Sequence, residues 1–173
     1  MNDLNIGFLL ITSPSDGLSL CLYRKRIPIF ILLLSSLSTS VGFSLIFSLH
    51  LNMMIFLSLF LFWIFFKSAI LHISCEIVGG CGDGKRLFLS LATSLFPLIF
   101  FTPFVIVGKV FPISFLGIIL IFLWVFILKI KFIKNLYSLS FGKTILAISF
   151  PSIIFSFLLF ILFLGFIISF LYR

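Results

Sequence analysis

Three residues in one apolar run carry the first chemistry this chain offers. Lys67 lies within LFWIFFKSAILHISCE, and His72 and Glu76 follow it. At a helical rise of about 1.5 Å per residue, Lys67 lies about 13 Å below Glu76, close to the middle of a bilayer core about 30 Å thick. A charge at that depth costs about 3 kcal/mol even on insertion scales. One reading makes Lys67 a cation on a substrate or ion path, paired with backbone carbonyls that Pro97 or Pro103 frees. The plainer reading, which we favour, is an ammonium that extends along its apolar stem toward an interface or sits in a packed polar spot. His72 and Glu76 are four apart and share one helical face. Such a pair can relay a proton, but a metal needs three or four ligands. The other histidine, His50, is expected at the opposite end, so the pair reads as an interfacial hydrogen bond and no metal is predicted.

Just beyond, Gly79 to Lys85 reads GGCGDGK, which fits most of the phosphate-cradling pattern G-x-x-x-x-G-K. That loop needs a preceding strand, a following helix and a Ser or Thr after the lysine to hold magnesium. Here a hydrophobic helix precedes it and Arg86 takes the Ser/Thr place. Neither nucleotide nor any other cofactor is therefore expected. The segment reads as a tight turn in which Gly79, Gly80, Gly82 and Gly84 permit positive φ. Cys21, Cys75 and Cys81 do not form a C-x-x-C pair and read as reduced thiols. No Ser-His-Asp order, carboxylate pair or H-E-x-x-H occurs, and the expectation is a protein that is not an enzyme.

The elements that position these residues follow from composition. Of 173 residues, 62% are hydrophobic and 9% charged, with a mean hydropathy of +1.42. That excludes a water-soluble domain and a nucleic-acid binder, and it makes the bilayer the first partner. About 20 apolar residues cross a bilayer as a helix, and five runs qualify: Ile27 to Phe47, Met53 to Cys75, Leu87 to Val107, Ile113 to Ile133 and Thr144 to Leu171. The expected fold is an all-α bundle of five transmembrane helices. A short interfacial helix from Pro14 to Tyr23 precedes it, with Ser13 as cap and Asp16 in its first turn. Residues 1–26 form the leading segment and 27–173 the membrane domain. The leading segment lacks the features of a cleaved secretory signal. Ser35, Ser36, Ser38, Thr39, Ser40, Gly42 and Ser44 make the first span a close-packing face, within the bundle or between copies.

Of the twelve basic residues, Arg24, Lys25, Arg26, Lys85, Arg86, Lys129, Lys131, Lys134 and Lys143 are expected on the N-terminal side. Lys109 and Arg173 are expected on the other, with Lys67 inside. The positive-inside rule then puts the N-terminus in the cytoplasm and the C-terminus outside. The net positive face suits anionic headgroups.

From this loop outward the chain resembles a known family. LHISCEIVGGCGDGKRLFLSLATSLFPLIF is similar to the hallmark of the Yip family, the Ypt/Rab-interacting membrane proteins: a GGxG loop with a following basic residue between the second and third spans, and a proline within the third. Gly79, Gly80, Gly82, Lys85 and Pro97 carry the match in order. SPSDGLSL resembles the family's proline-opened helix before span one. YSLSFGKTILAISFP, with Gly142, Lys143 and Pro151, resembles its entry into the last span. The resemblance runs from about Phe8 to Leu171 and implies five spans with the N-terminus inside. Eukaryotic members are associated with Rab-type GTPases through longer N-terminal regions; this chain looks like the compact prokaryotic form, in the cytoplasmic membrane. The expected role is a membrane-embedded interaction or organising protein, working with further copies or another membrane protein. The alternative is a small transporter or channel that uses Lys67 and the proline-kinked spans.

Overall fold

The computed structural model describes residues 9–47, 53–153 and 157. Among them there is no strand. Helix α1 covers Pro14–Tyr23, α2 Arg26–Phe47 and α3 Met53–Ile77. The third apolar run is broken: α4 (Gly84–Ser94) leads through a 3-10 turn (Phe96–Phe100) into α5 (Phe101–Val110). After a second 3-10 turn (Pro112–Ser114) comes α6 (Phe115–Tyr137), and α7 covers Phe141–Ile153. Among the described residues, four stretches are long and apolar enough to cross a membrane: α2, α3, the broken run Gly84–Val110, and α6. Helices suit such runs because every backbone group is paired within its own segment. The expected last span is described as far as Ile153 and at Phe157; His50, Asn52, Asp3 and Arg173 lie outside the described residues.

The broken run forms the core of the bundle. Its apolar stretch is 50% buried, against 39% for α2 and 22% each for α3 and α6. α2, α3 and α6 all pack on α4, and the 3-10 turn and α5 lie against α2 and α6. α2 approaches closely because its inner face is small: Ser35, Ser36, Thr39 and Ser40 are buried, and a side chain at Gly42 would collide with the Phe101 ring. The hydroxyls stay paired by bonding back along their own helix, Thr39 Oγ1 to the Ser35 carbonyl at 2.6 Å and Ser40 Oγ to the Ser36 carbonyl at 2.8 Å.

Two prolines account for the break. Pro97, buried, opens the 3-10 turn. Pro103 has no N–H for the Ile99 carbonyl four residues earlier. Ser38 of α2 supplies the missing donor, with its Oγ 2.9 Å from that oxygen, and it also accepts from the Thr102 N–H at 3.1 Å. Thr102 Oγ1 in turn donates to the Ser38 carbonyl. The Ile99 carbonyl is thus paired with a serine rather than with Lys67.

α1 spans the expected residues and packs Gly17, Leu18 and Cys21 inward, toward α4 and α6. Ser13 takes the capping position without a side-chain cap bond, and its own N–H returns to the Leu9 carbonyl at 2.8 Å. α6 runs four residues past the expected Ile133, because lysine is a good helix former and Lys129, Lys131 and Lys134 ride within it.

Candidate functional site

The link between α3 and α4 is built around its glycines. Gly79, at φ +89°, ends α3. Its N–H bonds the Glu76 carbonyl at 2.9 Å, and the Gly80 N–H bonds the Cys75 carbonyl at 2.9 Å, the Schellman pattern that favours glycine. Gly79 is the one glycine among those described with positive φ, which corrects the expectation that all four loop glycines serve that purpose. The others permit close approach. A Cβ at Gly82 would stand 2.6 Å from Tyr137 Cε1, one at Gly80 would stand 3.0 Å from Tyr137 Cβ, and one at Gly84 would stand 2.9 Å from His72 Cδ2. The turn is also shorter than the sequence implied. Gly84, Lys85 and Arg86 already belong to α4, and Asp83 caps that helix by accepting from the Lys85 N–H at 2.9 Å. Arg86 Nε stands 3.9 Å from Asp83 Oδ2 at the exposed surface.

Beneath the loop lies Tyr137, 2% exposed at the end of α6. Its hydroxyl is 2.6 Å from His72 Nδ1, and His72 Nε2 is 3.6 Å from Glu76 Oε1. With the hydroxyl donating to Nδ1, a neutral imidazole carries its proton on Nε2, facing the carboxylate. The Glu76 contact is electrostatic, being too long for a hydrogen bond. So His72 and Glu76 do share one helical face, but not as the hydrogen-bonded pair expected of them, and His72 takes its hydrogen-bond partner from another helix. Two features make α6 stop where Tyr137 meets the loop: Ser138 adopts the left-handed conformation at φ 51°, and the Leu139 N–H returns to the Lys134 carbonyl at 3.2 Å. Around Tyr137 the packing is apolar, with Leu71, Cys75, Leu87, Leu91, Ile133 and Ala147 in one cluster. Lys143 Nζ passes 4.0 Å from where a Gly79 side chain would begin.

Lys67 stands apart from this trio. Its Nζ lies 5.8 Å over the Trp63 ring, a cation–π placement. Lys129 was expected among the basic residues of the N-terminal face. It lies instead well inside α6, because that helix continues to Tyr137. The site residues therefore divide into a loop-end group (Gly79, Gly80, Gly82, Lys85, His72, Glu76) and Lys67, deeper and over the Trp63 ring. Pro97 belongs to neither, since it serves the break in the third run.

Cys21 is buried, and burial pushes its thiol up to about 11, which makes it inert at neutral pH. Among the described residues no group of three or more His, Cys, Asp or Glu could hold a metal. Sequence reasoning missed Tyr137, Ser138 and the Ser38–Thr102 clasp. Tyr137 left one signal: a phenol at the loop end of a span, where the only imidazole expected at that depth needs a partner. No family model, no curated protein and no solved structure matches the chain.

Proposed function

We propose that this chain is a membrane-embedded interaction or organising protein of the Yip type, not an enzyme, with its glycine-loop end as the contact surface. One observation carries the reading: the loop is seated on Tyr137 by glycines that leave no room for side chains, while Lys85, Arg86 and Lys143 are exposed around it. A pre-shaped cationic surface of this kind suits docking to acidic protein segments, since fixed geometry lowers the ordering cost of binding. The positive-inside rule supports a cytoplasmic loop end, because Arg24, Lys25, Arg26, Lys85, Arg86 and Lys143 lie at helix ends on that one side.

The test is amine cross-linking in intact membranes, read by mass spectrometry. Links from Lys85 and Lys143 to a second copy or another membrane protein, lost in Gly82→Leu with helix content retained, are the expected result. Links that persist unchanged in Gly82→Leu count against the loop as the contact surface. The second reading, a small transporter or channel, rests on Lys67, a cation within an apolar stretch long enough to cross a membrane and placed over the Trp63 ring. It predicts that Lys67→Leu abolishes solute movement, whereas an interaction protein tolerates that change.

A further inference from the structure

α2 and α4 pack on each other and run parallel. Leu32 of α2 and Ala92 of α4 share one buried cluster, and further along Ser38 reaches the Ile99 carbonyl. Arg26 lies six residues before Leu32, and Arg86 six before Ala92. At a rise of about 1.5 Å per residue both therefore start their helices about 9 Å from that cluster, at one level. Packed helices lie about 8 to 10 Å apart, a gap that two long arginine side chains can close on a single phosphate. Lys25, in the elbow before α2, and Lys85, in the first turn of α4, stand beside them, and all four cations are exposed. The elbow is held in place: the Ile27 N–H bonds the Arg24 carbonyl at 3.0 Å, and Pro28 is buried.

The described acids do not neutralise this cluster. Asp83 offsets one charge, with its Oδ2 3.9 Å from Arg86 Nε. Glu76 is turned toward His72, and Asp16 lies in the first turn of α1, at the end away from the elbow. The surplus positive charge sits where the two membrane-crossing stretches Arg26–Ile46 and Gly84–Val110 begin. Beneath Arg26 the outer face of α2 is apolar. Phe30, Leu33 and Leu37 follow it at the spacing of one helical stripe, and all three are exposed. Cations above an apolar stripe fit a ligand with an anionic head and a hydrocarbon tail.

We propose that the paired starts of α2 and α4 form a binding site for one anionic phospholipid. Its phosphate is held between Arg26 and Arg86, with Lys25 and Lys85 alongside, and an acyl chain lies along Phe30 and Leu33. The site depends neither on the docking of a protein at the loop nor on which side of the membrane the loop end faces, because the ligand comes from the adjoining leaflet.

The test is native mass spectrometry of the full chain in neutral detergent at physiological ionic strength, titrated with phosphatidylglycerol or with phosphatidylcholine of the same chains. We expect one phosphatidylglycerol to bind about tenfold or more tighter than phosphatidylcholine. Lys25→Gln/Arg26→Gln and Lys85→Gln/Arg86→Gln should each weaken it by about fivefold per cation removed, with phosphatidylcholine unaffected. Lys131→Gln/Lys134→Gln removes two exposed cations from α6 at the same end of the bundle and should change the affinity by less than about twofold, since screening leaves only close charges effective. An equal loss in that α6 variant would reduce the site to a diffuse field, and equal affinity for the two lipids would remove it. Displacement of bound phosphatidylglycerol by millimolar inorganic phosphate would make free phosphate the ligand and overturn the lipid assignment. Should a glutamine variant lose helix, the lipid preference and the phosphate competition of the unaltered chain decide.

Discussion

Tyr137 links three otherwise separate pieces: the glycine loop above it, the His72–Glu76 pair beside it and the apolar cluster around its ring. Removing only the hydroxyl with Tyr137→Phe should cost about 1 kcal/mol, the usual net value of one hydrogen bond. Tyr137→Ala should cost about 3 to 5 kcal/mol through the cavity it leaves. Chemical unfolding in detergent would separate the two, and equal losses would mean that the ring does not support the loop. The glycines give a sharper order. Gly82→Ala meets the Tyr137 ring and should destabilise most. Gly79→Ala meets little but must adopt positive φ, at about 1 to 2 kcal/mol. Gly142→Ala meets nothing within 4 Å and should be neutral or stabilising. Conversely Ser138→Gly, at φ 51°, should stabilise by about 1 kcal/mol. Sequence reading found the His72–Glu76 pair because four residues on a helix fix a shared face. It could not find Tyr137, which is 65 positions from His72, and it gave the glycines a dihedral reason where most serve close approach. Local spacing is visible in a sequence, whereas the surface that a loop rests on is set by tertiary packing.

At the scale of elements, the broken third run shows how a helix survives two prolines inside an apolar bundle. Its carbonyl at Ile99 and its N–H at Thr102 are both satisfied by Ser38, the repair expected where water is absent. Ser38→Ala should therefore cost about 1 to 3 kcal/mol, because it strands both groups. Pro103→Ala restores an N–H that can reach the Ile99 carbonyl within the run's own helix, so it should recover part of that loss. A double-mutant cycle in detergent unfolding measures the coupling; strictly additive effects would refute the shared carbonyl. The first four apolar runs and their approximate limits were legible from hydropathy, since length and the absence of charge are properties of the run alone. The break was not. Proline signals a lost hydrogen bond, but whether a helix kinks, stops or tightens into a 3-10 turn depends on which neighbour offers a replacement. The end of α6 was misplaced for a related reason: lysines mark where a span ought to leave the membrane, yet they do not end a helix, which here waits for Ser138.

For the whole molecule, the polar and apolar residues are arranged for a lipid surround. Among the described residues, the buried polar side chains are serines and threonines on facing helices, while Phe62, Phe65, Ile119 and Leu120 are among the large apolar residues left exposed. Each hydroxyl is small enough to let helices approach, and lipid can cover the apolar exterior. The cysteines test this arrangement together with the side on which the loop end lies. Cys81 is exposed in the loop, whereas Cys21 is buried with a thiol at about 11 instead of 9.0. At pH 7 that difference alone lowers the reactive thiolate of Cys21 by about a hundredfold, and burial slows it further. A membrane-impermeant maleimide should thus modify Cys81 quickly and Cys21 scarcely at all. Raising the pH toward 11 should increase the Cys21 rate in proportion to its thiolate. With the loop end in the cytoplasm, Cys81 should be silent on intact cells and labelled in inverted vesicles, and Cys81→Ser should abolish the fast reaction. Rapid labelling of Cys81 on intact cells would place the loop end outside, reverse the orientation drawn from the basic residues and remove the cytoplasmic docking surface with it.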